Sequence, residues 1–447
     1  MAQKLTVRGA VPSSGKSEAF VTNPRLEAPN QRGIGGMDPS VYLSVCRRAS
    51  GFAPDLHCPL YKVNVPDHHH SSSMTTATRA EIKPRRIARA GVETGVGGKT
   101  FSSLPASSGW IIGVGGDYRG GSTTIIDTTK KPIKRIRGPD LLAAKWNPVL
   151  AAVGTKVYAL CNTPSYRRKP NFVPWFEVLD LSNATVTETS DGSLSLDGCF
   201  WEELSCPPCF PRKLTPTGYL HPPTISVSSY VTVLPHYILI SLVQKSSCTY
   251  VFDTSSGEWH EVQDNSLPFV GRAVPHGPCF CLGTSLCNGT VNAYRIRVVI
   301  SSASTSTRII RANNGGSNTN NNNVVVRLSI TECSIVNEAR ERVGSMQGQH
   351  IVSLDRGLFS LFTFSLGHFK HIACSDSEDD KIYSTKLFAK LTTYHIENPA
   401  LLEETMDQGK LRAVEHEITV SKHQEQNFDF FSTYGFSSPP IPFVLSI

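Results

Sequence analysis

The sequence has few long hydrophobic runs, and none reaches the roughly 18 apolar residues that a membrane-spanning helix requires. Its first residues, MAQKLTVRGAVPSSGK, contain no apolar segment of the kind that secretory signals have, so we expect no export. The twelve cysteines are scattered, and in a reducing compartment we expect them to remain thiols. These absences predict a protein of the cytoplasm, the nucleus or both, without a membrane partner.

Charged residues are also scarce, at 18% of the 447 residues, and the basic excess lies at one end of the chain. Residues 1–100 carry 14 lysines and arginines against 7 acidic residues, whereas the remainder carries 30 of each. A surface that binds nucleic acid needs clustered lysine and arginine to neutralise phosphates. The neutral body therefore argues against nucleic acid as a partner.

The patterns that mark common enzymes and nucleotide sites are missing. No Gly-x-Ser-x-Gly elbow occurs, and the 14 histidines are spread widely. The stretch ETGVGGKT (93–100) resembles a phosphate-binding loop, but Glu93 stands where that loop needs glycine, and its carboxylate would repel phosphate. We therefore predict no catalytic residues, no enzymatic activity and no cofactor.

Metal-binding patterns are incomplete as well. CPPC (206–209) has the spacing of half a zinc site, but a second pair of cysteines at suitable spacing is absent from the sequence. The histidines of DHHH (67–70) lie in a stretch of loop composition, where a preorganised site is not expected. We predict no metal site.

What the chain does contain is a series of short β-type runs between turn signals, from about residue 110 to residue 396. Around these runs we predict a disordered basic tail (1–40), a flexible loop (67–100), a Ser/Asn-rich low-complexity loop (301–325) and a short helix (399–408). The body from 41 to 447 is therefore predicted to be a single all-β domain.

Several of these runs share a pattern at their ends. STTIIDTTKKPIKRI (122–136), WFEVLDLSNA (175–184) and TYVFDTSSGEWHEV (249–262) each end a strand-like run with an aspartate. An aspartate there can accept a hydrogen bond from the backbone two residues on and fix the turn. The pattern assigns structural roles to Asp127, Asp180 and Asp253, to Gly257 as a turn glycine, and to Trp201 and Trp259 as aromatic residues that begin the returning strands.

The repeated unit, an apolar strand pair followed by a run ending in Asp and a Gly-Glu-Trp turn, resembles a degenerate kelch-type β-propeller. More closely, IRGPDLLAAKWNPVLAAVGTKVYAL, VPWFEVLDLS, VFDTSSGEWHEV and SLPFVGRAVPHG resemble the grass-lineage plant family known as domain of unknown function 1668. The resemblance implies a propeller, for which we count six blades, with seven as the alternative. The strands near 41–65 would complete the last blade. The family carries no established activity.

On this fold we expect a non-enzymatic scaffold that binds a protein partner through loops at one face. The alternatives are a propeller enzyme in the central channel, either a metal-dependent oxidase or a glycan-processing enzyme, and a substrate adaptor for a ubiquitin ligase. Two charged segments add lesser hypotheses. KPRRIAR (83–89) could serve as a nuclear import signal. SDSEDD (375–380) reads as a solvated hairpin tip that could accept phosphate.

Overall fold

The computed structural model describes part of one compact unit, Asp38–Ile447, and every structural statement below concerns these described residues. They are mostly β-strand, so the predicted all-β fold class is confirmed. The tail predicted for 1–40 lies outside them, apart from Ser40. The described ranges are 40–46, 58–64, 85–90, 98–104, 109–117, 120–164, 173–210, 225–243, 248–263, 265–277, 280–303, 323–336, 346–354, 357–366, 370–373, 382–408, 420–435 and 441–446.

The strands form six blades, each with four main strands that run from an innermost to an outermost position, and blades 4 and 5 are joined into one sheet of eight strands. Within every blade, neighbouring main strands are antiparallel. From inside to outside, blade 1 contains β27 (Ile441–Ser446), β1 (Ser40–Cys46), β2 (Cys58–Asn64) and β3 (Arg85–Ala90); blade 2 contains β4 (Lys99–Ser103), β5 (Trp110–Asp117), β6 (Gly120–Asp127) and β7 (Lys134–Arg137); blade 3 contains β8 (Val149–Val153), β9 (Lys156–Leu160), β10 (Phe176–Asp180) and β13 (Trp201–Glu203); blade 4 contains β14 (Val227–Val233), β15 (Tyr237–Leu242), β16 (Cys248–Asp253) and β17 (Glu258–Gln263); blade 5 contains β18 (Phe269–His276), β19 (Phe280–Ser285), β20 (Val291–Ala303) and β21 (Asn323–Val336); blade 6 contains β22 (Met346–Ser353), β23 (Leu358–Leu366), β25 (Ile382–Ile396) and β26 (Val420–Gly435).

Three further strands and a helix are added to this plan. The hairpin of β11 (Thr185–Glu188) and β12 (Leu194–Asp197) lies in sequence between the third and fourth strands of blade 3. In space it extends blade 2, because β12 pairs in parallel with β7. β24 (Lys370–Ala373) pairs with β25. Helix α1 (Pro399–Gln408) joins β25 to β26, which confirms the helix predicted over 399–408. No helix in the described part of the chain is long and apolar enough to cross a membrane.

The six innermost strands close into a ring. Each contacts the innermost strand of the next blade, in the order β27, β4, β8, β14, β18, β22 and back to β27. Ring closure depends on blade 1, in which β27 from the C-terminal end of the chain pairs with β1 from Val41↔Ser446 to Cys46↔Ile441. The fold is therefore a six-bladed β-propeller, and the strands near 41–65 complete the closing blade as expected.

The hydrophobic core lies in the gaps between blades. In β9, alternate side chains belong to different clusters: Val157 and Ala159 pack toward blade 2, whereas Tyr158 and Leu160 pack toward blade 4. All four residues are buried. Side chains alternate between the two faces of a strand, and here both faces are covered by a neighbouring sheet. This explains why strands in this chain are apolar on both faces.

A buried ion pair joins two of the stretches that carry the family resemblance. Lys145 of LLAAKWNP pairs with Glu177 of VPWFEVLD, and both side chains are fully buried. The Lys145 ammonium also donates to the carbonyl of Pro174 at 2.7 Å. Glu177 in turn accepts from the amide of Leu142 at 2.8 Å. With its charges and polar atoms satisfied in this way, the pair fixes the connection between β7 and β8 on blade 3.

The ranges predicted for two loops include residues that belong to strands. Within 67–100, residues 85–90 form β3 and residues 99–100 begin β4, so the loop is wrong there. β4 was missed because its sequence, KTFSS, lacks apolar alternation although four of its five residues are buried. Within 301–325, both ends belong to the long paired strands β20 and β21. Residues 304–322 lie outside the described residues, as do the segments 67–70 and 375–380.

Candidate functional site

Three aspartates mark the outer rim of the propeller, where the third strands of blades 2, 3 and 4 end. Asp127 Oδ1 accepts from the amide of Thr129 at 3.0 Å. The same bond, two residues on, joins Asp180 to Ser182 at 2.9 Å and Asp253 to Ser255 at 2.8 Å. The bond from Ser182 helps to hold the pKa of Asp180 below its usual value. These carboxylates are used in turn formation, and none of them lines the central cavity described below.

Gly257 completes the rim turn of blade 4. Its φ is +75°, a left-handed conformation that glycine adopts without strain. Its amide donates to the carbonyl of Asp253 at 2.8 Å, which closes the turn between β16 and β17. The arrangement is that of a tight hairpin, so Gly257 has a conformational role.

The two rim tryptophans bridge neighbouring blades. Trp201 of blade 3 is 2% exposed, and its Nε1 donates to Thr123 Oγ1 of blade 2 at 2.9 Å. Trp259 of blade 4 is only partly buried, and its Nε1 donates to the carbonyl of Ser205, next to blade 3, at 2.8 Å. Its ring lies 5.0 Å from that of Phe252. Both side chains cover a gap between blades.

A cavity of about 420 Å³ lies at the centre of the ring, with residues in or next to all six innermost strands on its wall. Ligand pockets commonly have volumes of about 300–1,000 Å³. Its apolar wall includes Phe101, Val149, Val270 and Val444, from blades 2, 3, 5 and 1 respectively. The cavity is thus large enough for a small molecule and has both apolar and polar walls.

The innermost strands of blades 4, 5 and 6 are irregular where they border the cavity. The pairing register shifts between Val227 and Ser229 in β14, between Val270 and Val274 in β18, and at 346–349 in β22. Bulges of this kind re-aim side chains and are common beside functional sites. In β18 the shift spans Gly271, whose φ is +71°, and Arg272. The irregularity therefore lies at the arginine on the cavity wall.

Arg272 and Tyr230 lie side by side on this wall. β14 and β18 pair in parallel across the boundary between blades 4 and 5, with Tyr230 opposite Arg272 in register. Burial raises the pKa of the Tyr230 phenol, although the guanidinium of Arg272 acts in the opposite direction. The phenol is therefore protonated at neutral pH, and both side chains present donors.

His350 of β22 adds an uncharged imidazole. Burial lowers the pKa of His350 to about 4, so the ring carries no charge at neutral pH. It packs edge-on against Phe364 of β23, with ring centroids 5.6 Å apart. Among the described residues that line the cavity, Arg272 is then the only one with a charge at neutral pH.

Two carboxamide groups on the wall have buried oxygens without a partner. Asn147 Oδ1 and Gln349 Oε1 accept no hydrogen bond from the part of the chain that the structure describes. Asn147 also has a φ of 45° and is the one described residue other than glycine in the left-handed region. Such residues cluster at functional sites because the surrounding structure must hold the strain. The two unpartnered acceptors thus lie on opposite sides of the cavity, at blades 3 and 6.

Two candidates from the sequence have no ligand geometry. Lys99, from the loop-like stretch 93–100, is buried in β4 and donates to Thr124 Oγ1 at 2.8 Å, so its ammonium serves the blade. Glu93 lies outside the described residues. Cys206 and Cys209 are free thiols packed against the core between blades 3 and 4, and burial raises the pKa of Cys209 to about 12. Within the described ranges no three His, Cys, Asp or Glu residues are grouped to hold a metal.

The rim residues named from the sequence and the wall residues form two separate sets. Sequence patterns missed the wall residues Asn147, Tyr230, Arg272, Gln349 and His350. One signal was present: Gly271 interrupts a strand-like run in SLPFVGRAVPHG, and an isolated glycine in a strand indicates a bulge.

Comparison with known proteins gives a family without a function. The family model described as a protein of unknown function (DUF1668) matches residues 38–420. A search of curated proteins found no match. The matched region includes every blade except for most of β26 and all of β27, and it contains the wall residues Asn147, Tyr230, Arg272, Gln349 and His350 but not Val444. On this match, the chain belongs to the DUF1668 family.

Proposed function

We propose that this chain is a non-enzymatic propeller scaffold that binds a protein partner through loops at one end of the ring. The strands of each blade alternate in direction, so the loops between second and third strands lie at the same end as the connections between blades. This end is called the connection end below. The proposal depends on which apolar side chains are exposed there.

Four exposed apolar residues lie in connection-end loops of different blades. Leu142 lies between β7 and β8, and Val173 lies between β9 and β10. Val243 and Leu286 directly follow β15 and β19. They are 56%, 53%, 63% and 60% exposed, respectively. Exposed apolar side chains brought to one end of a rigid frame are typical of surfaces that bind another protein. The partner would present apolar side chains to this end.

Affinity capture with matched variants tests the proposal. The connection-end variant carries Leu142→Ser, Val173→Ser, Val243→Ser and Leu286→Ser. The control carries Phe200→Ser and Leu234→Ser, two exposed residues in loops at the opposite end. We expect wild type and control to retain the same saturable partner and the connection-end variant to lose it, with all three proteins giving the same circular dichroism spectrum. Equal capture by all three would contradict the proposal.

The rival functions remain hypotheses with weaker support. A glycan-processing enzyme normally uses two carboxylates, and a copper oxidase needs several ligands. The described cavity wall offers one histidine and no carboxylate or thiol. A ubiquitin-ligase adaptor would reveal itself in the capture experiment through a ligase subunit that binds the same connection end.

The proposed scaffold would act in the cytoplasm, the nucleus or both. Residues 85–89 of the predicted import signal lie in the outermost strand β3, whose far edge has no described partner strand. A fluorescent fusion in which Arg85, Arg86 and Arg89 are replaced by Gln tests import. Loss of nuclear fluorescence in a folded variant would support the import signal, and an unchanged distribution would contradict it.

A further inference from the structure

We infer that the central cavity is a binding site for a small amphipathic carboxylate, held by Arg272 of the bulged strand β18. The inference is independent of the proposed protein partner, because it concerns the cavity wall and not the connection-end loops. Four observations support it, and they concern charge, hydrogen bonding, shape and apolar surface.

The first observation is an unbalanced charge. Arg272 is the only charged group at neutral pH among the described residues of the wall, and none of the ion pairs in the described part of the chain includes it. Arg272 is only partly buried, so an anion that enters the cavity can reach its guanidinium and pair with it. An anion in the cavity would compensate Arg272.

The second observation selects the kind of anion. With His350 neutral, the wall has a single positive charge, which one carboxylate balances and a dianionic phosphate would exceed. The planar guanidinium matches the two oxygens of a carboxylate and can donate to both at once. The Tyr230 hydroxyl, opposite Arg272 in register, is a further donor close to the same place.

The third observation is the pair of unpartnered oxygens, Asn147 Oδ1 and Gln349 Oε1. Buried acceptors without a donor are costly, and rotation of either carboxamide toward the cavity would bring its oxygen within reach of a ligand that donates to it. The ligand should therefore carry a hydroxyl or amide N–H in addition to its carboxylate. Asn147 follows Lys145 and Trp146 in the connection to β8, so the buried Lys145–Glu177 pair holds this part of the wall in place.

The fourth observation is the apolar part of the wall, where Phe101, Val149, Val270 and Val444 lie. A ligand with an apolar body would cover the parts of these side chains that face the cavity, whereas a fully polar anion would leave those parts facing water. The inferred ligand class is thus a hydroxylated monocarboxylate with an aromatic or branched body. The same chemistry could come from a free metabolite or from the acidic side chain of a short peptide.

The test uses the full chain and a defined probe, 3-(4-hydroxyphenyl)propionate, with its methyl ester as the uncharged control. Isothermal titration calorimetry should show saturable 1:1 binding of the acid and at least tenfold weaker binding of the ester. An acetylated dipeptide amide with one acidic side chain, and therefore a single carboxylate, is the second arm. Tighter binding of the dipeptide would assign the site to a peptide source, and tighter binding of the acid to a small molecule. Binding of neither anion would overturn the inference.

Variants locate the site. Arg272→Met should weaken binding of the acid at least tenfold, whereas Arg297→Met, an exposed arginine on β20 of the same blade, should leave it unchanged. Gln349→Glu keeps the size of the side chain and adds a competing negative charge, so it should also weaken binding at least tenfold. The Gln349→Glu variant tests the site if the Arg272→Met protein does not fold. Unchanged affinity in a folded Arg272→Met or Gln349→Glu protein would contradict the assignment.

Discussion

The outer rim and the cavity wall of this propeller are built in different ways. On the rim, short local motifs repeat: an aspartate closes a turn in blades 2, 3 and 4, and a tryptophan then covers the gap to the neighbouring blade in blades 3 and 4. On the wall nothing repeats, and three of the six innermost strands are irregular. The difference indicates that the rim maintains the fold, whereas the wall carries the features that a ligand site needs.

The largest expected effect is loss of the buried ion pair in the frame. Lys145→Met leaves the Glu177 carboxylate buried without its counter-charge, and we expect a loss of about 3–5 kcal/mol of unfolding free energy. Urea denaturation measures it. The double variant Lys145→Met/Glu177→Leu should recover much of the loss, because no buried charge remains. A double variant that is as unstable as the single one would show that packing, and not charge, dominates here.

The rim tryptophans should differ in their contributions. Trp201→Ala removes a fully buried ring and should cost about 3–5 kcal/mol. Trp259 is partly exposed, so Trp259→Ala should cost less, about 2–3 kcal/mol after scaling for its smaller buried area. Thermal and urea unfolding of the two variants give the comparison. An unchanged melting temperature for Trp259→Ala would remove the rim hairpin of blade 4 from the stable frame.

Two glycines allow a matched test of rim against wall. Gly257 on the rim and Gly271 beside Arg272 have φ values of +75° and +71°, and an added Cβ at either meets open space. Alanine at either position should therefore cost about 1 kcal/mol from backbone strain alone. Only Gly271→Ala should also weaken binding of the carboxylate probe, because it displaces the bulge. Equal affinity of the two variants for the carboxylate probe would contradict the separation of a structural rim from a binding wall.

The smallest expected effect is a change in pH dependence from His350. Its folded-state pKa is lowered from 6.5 to about 4, so between these values the unfolded chain binds more protons than the folded one. Stability that is present above pH 6.5 should fall as the pH drops toward 4, by about 1 kcal/mol because the cavity admits water and screens the charge. His350→Phe should flatten this loss, whereas His260→Phe on the outer strand β17 should not. Identical profiles of stability against pH for wild type and His350→Phe would contradict the assignment of this loss to His350.

The sequence predicted the rim far better than the wall, for physical reasons. Asp127, Asp180, Asp253 and Gly257 act on their own turns, so the residues that matter are neighbours in sequence. The wall is made by six strands from all parts of the chain, and its polar residues have no common spacing. The sequence pattern assigned β4, the innermost strand of blade 2, to a loop. The pattern failed there because Lys99 and other polar residues of this strand are buried within the sheet. Among the wall residues, only Gly271 could be recognised from the sequence, as an isolated glycine in a strand-like run.

The most direct test of this account is the dissociation constant of 3-(4-hydroxyphenyl)propionate for one rim variant and one wall variant, measured on folded protein by calorimetry. The account predicts that Trp259→Ala, although less stable, binds within twofold of wild type, and that Gln349→Glu binds at least tenfold more weakly. Equal affinities for the two variants, or a larger loss in Trp259→Ala, would contradict the separation of a structural rim from a binding wall.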